Sequence, residues 1–196
     1  MPELTARQQD IITQAIVLIH EGGIQRVTMK NLSKRLGISE PAIYRHFDSK
    51  RAILLTMLQQ FRERSRQHLL QAAAAEVSGI ARLEMIFLEH SGQFAKNPHM
   101  TGVVFSEEAF QDDTALSETV FSVMSFAHDS IVDIIATAQQ KGEIRADVPK
   151  EYLAVVILGT LRLMVKRWRL SHYAFDLDQE SRMAWMALKT LLTSAG

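Results

Sequence analysis

Between Thr28 and Lys50 the chain reads TMKNLSKRLGISEPAIYRHFDSK, a stretch that crowds cations and a tyrosine around Gly37-Ile38-Ser39. Lys30, Lys34, Arg35, Arg45, Lys50 and Arg51 lie within 22 residues of one another. Basic side chains so gathered gain affinity for a polyanion by releasing its counterions. The other chemistry-bearing residues do not assemble a catalytic pattern. There is no cysteine, no G-x-S-x-G elbow, no H-E-x-x-H helix and no glycine-rich phosphate loop. Glu107-Glu108 and Asp112-Asp113 are adjacent pairs, and neighbours on a helix point in different directions, a poor start for acid–base work. His90, His99, His128 and His172 include no H-x3-H pair, so neither a metal nor another cofactor is expected.

Composition sets the frame for these residues. The 196-residue chain is 47% apolar, enough to bury a core, and its formal net charge is zero. That zero hides an asymmetry. Residues 1–70 carry 11 Lys/Arg against 6 Asp/Glu, and residues 71–196 carry 11 against 16. A basic front and an acidic rear place any polyanion partner at the front. The absence of cysteine and of a signal-like start fits a cytoplasmic protein. The longest apolar run, Tyr152 to Leu161, is broken by Gly159, and no membrane span is expected.

Helical spacing dominates and no strand alternation stands out. Ile11, Ile12, Ala15, Ile16 and Ile19 mark a helix from Thr5 to His20, closed by Gly22-Gly23. Thr28 then caps a helix with Met29, Leu32, Ser33 and Leu36 on one face, while Val27 and Leu32 are spaced as a hydrophobic staple. Gly37 ends it. Ser39 caps a third helix lasting to about Phe47, with Glu40 and Pro41 in its first turn. A longer helix follows from Lys50 to about Gln71. Further patterns cover 79–95, 99–110, 114–141, 150–171 and 178–194. The expectation is an all-α chain of about nine helices in two unequal parts. Residues 1–50 would form the first domain and 51–196 the second.

With Ile43 facing inward, Phe47 lies about 40° away and Pro41 and Arg45 point nearly opposite, with Tyr44 on the flank. Leu32 and Leu36 likewise face in, leaving Lys30, Asn31, Lys34 and Arg35 towards solvent or a partner. Two short helices around a glycine turn are the layout of a helix-turn-helix, whose second helix fits the DNA major groove. Lys50 and Arg51 fall in the first turn of the fourth helix, where the macrodipole disfavours cations and a phosphate would be welcome.

GISEPAIYRHFDSKRAIL resembles the core signature of the TetR (tetracycline-repressor-type) family: a Ser-led turn, an aliphatic-Tyr-x-His-Phe helix and a Ser-Lys-x-x-Leu helix start. The upstream GGIQRVTMKNLSKRLGIS extends the match, which is close over residues 6–60. The resemblance implies that Thr28 and Lys50 meet DNA phosphates and that Tyr44 and His46 sit against them. Ser39, Glu40, Pro41, Ala42 and Arg45 would approach base edges, with Lys30 beside them. Arg45 is then placed for a bidentate contact to guanine. His46 lies near the inner edge of its helix, so packing competes with phosphate contact. Glu40 departs from what a phosphate-rich surface favours, unless it accepts from a cytosine amino group or stays outside the groove.

In the rear, YLAVVILGTLRLMVKRWRL is apolar almost all round for three turns, more than one inward face needs. The resemblance implies that it and ESRMAWMALKTLLTSA pair with their copies in a four-helix bundle. Leu158, Leu161, Val165, Met183, Trp185, Met186 and Leu188 are the interface candidates, giving an isologous homodimer. It also implies an effector cavity among the middle helices. Phe87, Phe94, Phe105, Phe121, Phe126 and Met124, with His128 and Arg162, could line it for an apolar or amphipathic small molecule. The expected function is a ligand-responsive DNA-binding transcriptional regulator, a repressor before an activator, on a palindromic double-stranded DNA operator. A regulator or adaptor without an effector is the alternative, told apart by salt-sensitive binding to DNA. An α-helical enzyme is a third class, which would reveal itself by turnover.

Overall fold

A computed structural model describes residues 4–105, 110 and 113–193. The pair Glu107-Glu108 and Asp112 lie outside these residues. Among the described residues there are nine α-helices and no strand, in agreement with the sequence. They are α1 (Ala6–Gly22), α2 (Met29–Leu36), α3 (Glu40–Tyr44), α4 (Lys50–Ala74), α5 (Gly79–Lys96), α6 (Met100–Val104), α7 (Thr114–Gln140), α8 (Lys150–Leu170) and α9 (Leu177–Thr193). A single 3-10 turn, Ile24–Arg26, separates α1 from α2.

Two compact units divide the chain, and the cut differs from the expected one at residue 50. The first holds residues 1–63 and 98–121; the second holds 64–97 and 122–196. The reason is apolar. Ile53, Leu54, Met57 and Leu58 of α4 join the core that α1, α2 and α3 build with Ile11, Ile12, Leu32, Ile43 and Phe47, and Val103, Phe110 and Leu116 complete it. Short helices α2 and α3 are below the length that is stable alone, so this shared core is what holds them.

Local signals explain the boundaries. Thr5 and Gln8 form a reciprocal capping box at the start of α1. Thr28 accepts the Asn31 N–H at 3.0 Å to start α2. Gly37 closes α2 at φ +67°, a left-handed conformation that only glycine takes without cost, while Ile38 N donates to Ser33 O at 3.1 Å. Helix α3 ends three residues earlier than its apolar pattern suggests. Gln8 Nε2 reaches across from α1 to the His46 carbonyl at 3.3 Å, and Ser49 Oγ accepts from Ala52 N at 3.1 Å to begin α4. Helix α6 ends at Val104, residues 106–109 of the expected 99–110 pattern lie outside the described residues, and its Gly102 lies against α1. A β-carbon there would come within 3.1 Å of Ile19 Cγ2 and 3.3 Å of the His20 backbone.

In the second unit α9 buries one stripe, Leu177, Ser181, Trp185, Leu188 and Leu192, facing α5 and α8. Glu143 accepts from Gly79 N at 2.5 Å, so a carboxylate sits at the start of α5. Arg145 N donates to Leu192 O at 2.9 Å near the end of α9.

Candidate nucleic-acid interface

The inward face of α3 is settled by Ile43, which is fully buried, and by Phe47 just after the helix. The outward face follows by default. Ser39, Glu40, Pro41 and Arg45 are exposed, Ala42 is half-buried and Tyr44 shows 49% of its surface. On α2, Lys30 and Lys34 are exposed beside an exposed Thr28. Thr28 Oγ1 accepts the capping bond and keeps its own proton free to donate. Helices α2 and α3, which pack on each other, thus both leave polar and cationic side chains exposed, and neither the Arg45 guanidinium nor the Tyr44 hydroxyl is drawn into a hydrogen bond or ion pair among the described residues.

Other expected contacts are committed elsewhere. Lys50 Nζ donates to the Ile24 carbonyl at 2.9 Å, tying the 3-10 turn to the start of α4. Burial pulls its ammonium below the usual lysine range. One of the three ammonium donors is thus engaged by a backbone oxygen, and Lys50 is half-buried. Arg51, its neighbour, pairs with Asp113 instead, bonding through Nε and, at 3.1 Å, Nη2. Asp113 also accepts from Ala115 N and Leu116 N at 3.1 and 3.2 Å and so caps α7. The Arg51 hydrogen bond, ahead of those two N–H groups, holds the Asp113 carboxyl below its ordinary value.

Arg35 is exposed, as its place on α2 predicts, and its guanidinium also donates to both Glu21 oxygens at 2.7 and 2.8 Å and to Gln14 at 2.7 Å, clamping α2 to α1. That hydrogen bond lowers the Glu21 carboxyl. Asn31 is similarly engaged, donating to Arg26 O at 2.8 Å. His46 is half-buried, with its carbonyl held by Gln8. Helical periodicity places a residue on a face but does not say what a long side chain reaches, which is why these links were not legible.

In the second unit the interface candidates divide sharply. Trp185 is 2% exposed and its ring packs on Phe87 with centroids 5.6 Å apart. Leu161, Val165 and Leu188 are buried in the same unit and Leu158 is half-buried. These four side chains are buried in the core of their own unit. Met183 and Met186 are exposed, at 59% and 62%. With them, the sequence reading missed Tyr152, Val155, Val156, Leu163 and Leu170, all exposed apolar residues of α8. An all-round apolar helix carries no periodic signal to pick its outer stripe.

The effector candidates also separate. Phe105 and Phe121 belong to the first unit, and Phe87, Phe94, Met124, Phe126, His128 and Arg162 to the second. Phe121 is 71% exposed and Met124 is exposed as well, so neither lines an enclosed cavity in this structure. Phe87 and Phe94 are buried, and Phe126, His128 and Arg162 are half-buried. His128 bonds to its neighbour Asp129 at 3.1 Å. Around His90 lies a polar cluster on α4 and α5, of which the sequence singled out His90 but not His68 or Glu89. His68 Nδ1 is 2.8 Å from Glu89, and the ring of His90 stacks edge-on against Phe94 at 5.2 Å. Burial first, and His68 second, push His90 down to about 4. No group of three or more metal-ligating side chains occurs among the described residues.

One expectation about membranes changes. Helix α7 contains an 18-residue window of mean hydropathy 1.3, so by length and composition one helix is apolar enough to cross a membrane. Its Leu116 is buried in the first unit, and Ile131, Ile134, Ile135 and Ala138 are buried in the second. Those residues serve the cores.

Comparison with known proteins agrees with this layout. Residues 11–57 match the model for bacterial regulatory proteins of the tetR family, and residues 56–191 match that for the YsiA-like protein C-terminal region. The chain is 20% identical over 183 residues to the probable acrEF/envCD operon repressor of Escherichia coli (strain K12), covering 91% of this chain and 83% of that protein. It is 25% identical over 187 residues to the nucleoid occlusion factor SlmA of Glaesserella parasuis serovar 5 (strain SH0165), covering 94% and 92%. In fold it is similar to the transcriptional regulator FadR from Bacillus subtilis in complex with stearoyl-CoA, at a TM-score of 0.81 and 18% identity over 94% of this chain and 98% of that one. The second model spans more than half of the sequence and adjoins the head that carries the exposed α3, and the chain therefore belongs to the tetR family of bacterial regulatory proteins.

Proposed function

We propose that this regulator is a homodimeric repressor that seats α3 in the major groove of a palindromic operator and is released by a small apolar or amphipathic molecule. The observation that carries the reading is the outer face of α3, with Arg45 and Tyr44 exposed above a buried Ile43. Arg45 suits a bidentate contact to guanine O6 and N7. Thr28, Lys30 and Tyr44 suit phosphate oxygens, which fix register without reading sequence. Five residues of α3 address few base pairs, so two heads on half-sites about 34–36 Å apart supply the specificity.

The exposed stripes Tyr152, Val155, Val156 and Leu163 on α8 and Met183, Met186 and Leu191 on α9 support the dimer. Exposed large apolar side chains concentrated on two helices that pack on each other suit a protein interface. An effector that favours one separation of the two heads shifts the equilibrium only by its differential affinity for the two states. The structurally similar FadR was solved with stearoyl-CoA, which supports an apolar or amphipathic effector here. The repressor acts in the cytoplasm, where its operator lies.

The test is binding of the purified dimer to duplexes enriched from a randomised pool, followed as a function of salt. A steep loss of affinity with salt, together with a twofold-symmetric enriched motif, is expected. No enrichment above bulk DNA contradicts the reading.

A further inference from the structure

Polar side chains on the helices of this chain mostly find a bond close by. Thr13, Thr56, Thr119 and Thr160 donate to the carbonyl four residues back, and Ser33 and Ser91 to the one three residues back. Trp168 Nε1 donates to Phe175 O at 2.9 Å. Two groups on α9 do otherwise. Ser181 and Trp185 are 0% and 2% exposed, and neither Ser181 Oγ nor Trp185 Nε1 has a hydrogen-bond partner among the described residues. A buried polar group left in this way costs stability, and native chains hold few of them.

The two stand one turn apart on the stripe that α9 buries against α5 and α8. Residues so spaced share a face, with β-carbons about 5–6 Å apart. Helix α5 frames the spot. The Phe87 ring lies against Trp185, and a β-carbon on Gly92 would meet Asp178 Oδ1 alone, at 3.7 Å. Ser181, between Asp178 and Trp185, therefore faces the turn of α5 that ends in the small residues Ser91 and Gly92. The Ser91 hydroxyl proton is already taken by Leu88 O at 2.9 Å.

The lining selects the chemistry. The buried residues of α5, α8 and α9 include no charged side chain, so a carboxylate or an ammonium would lose its water there and gain no counter-ion. Trp185 can only donate, and Ser181 has one proton to give. A carbonyl oxygen, with two lone pairs and no proton, serves both. A hydroxyl or water oxygen would accept them as well, but brings protons that then need acceptors of their own.

We propose that Ser181 and Trp185 form the polar end of an effector site in the second unit, where both donate to the carbonyl oxygen of an uncharged, apolar ketone or ester. The Phe87 ring, beside the indole, meets the apolar part. This deepens, and rests on, the reading of the chain as an effector-responsive regulator.

The experiment titrates the full-length protein with nonyl methyl ketone and methyl decanoate, with undecane and decanoate as controls. Proton–nitrogen correlation NMR follows the two indole N–H signals, Trp168 serving as the internal reference because its N–H is already bonded. The ketone and the ester should move the Trp185 signal downfield, and the controls should not. Ser181→Ala should weaken ketone binding by about tenfold, as loss of one buried hydrogen bond does. It should not lower the melting temperature of the free protein, where no bond is lost. Trp185→Phe, which keeps an aromatic ring and removes the donor, should weaken the ketone likewise. A Trp185 signal unmoved by both carbonyl compounds, or moved equally by undecane, overturns the inference. So does Ser181→Ala with a lowered melting temperature and unchanged ketone affinity, which would assign the hydroxyl to the core. If the ketone moves the Trp185 signal but leaves operator affinity unaltered, the carbonyl site stands and the effector reading falls.

Discussion

At the scale of single residues, the proposed function divides the outward side chains of α3 and α2 into readers of bases and anchors on phosphate. Arg45 is free and exposed. Arg45→Ala is expected to cost about 1–3 kcal/mol of discrimination at one position per half-site, read by comparing affinities for single-base variants of the operator. Tyr44→Phe removes a phosphate donor and should weaken all sequences alike, with no change of motif. That Arg45 and Tyr44 stand outside while Ile43 stands inside was legible from the 100° spacing. The engagement of Lys50 by Ile24 O and of Arg35 by Glu21 was not, because the flexible stems of these residues reach partners 26 and 14 positions away.

At the scale of elements, α3 exists only through the core beneath it. Ile43 is its one buried side chain, and Ile43→Ala should destabilise the protein by about 2–5 kcal/mol in denaturant unfolding while abolishing DNA binding. The caps at Thr5, Thr28 and Gly37 were readable from residue type alone, since each supplies a backbone requirement that few residues meet. The early end of α3 depends instead on the bond from Gln8, a contact between distant segments. On α5, His90 carries a pH dependence with a definite sign. Its folded value of about 4 lies below the ordinary 6.5, so the unfolded chain binds the proton more readily. The stability is fully present above about pH 6.5 and declines as pH falls towards 4. A loss on the order of 1–2 kcal/mol between pH 7 and 5 is expected, and His90→Gln should remove it. An identical pH profile in that variant would assign the titration to another group.

At the scale of the whole molecule, the nine helices of the described residues and their order were readable because caps, glycines and prolines mark their ends and most keep a helical period. The division into units was not, since it depends on which turns of α4 share a core with α1 and α3. The outer stripe of α8 was hidden for the opposite reason: apolar residues on every side erase the pattern that distinguishes in from out. That distinction makes a prediction. Leu163→Glu or Met186→Glu, at 59% and 62% exposed sites, should yield folded monomers in sedimentation. Trp185→Ala should instead destabilise the fold by about 3–5 kcal/mol, because its indole fills a core. The claim beneath all of these is that α3 enters the major groove, and guanine N7, which lies there, reports it. Methylating N7 of the guanines in each half-site should block binding of the wild type, and the block at one guanine should vanish in Arg45→Ala. Binding indifferent to N7 methylation would place the contact outside the major groove and contradict the account.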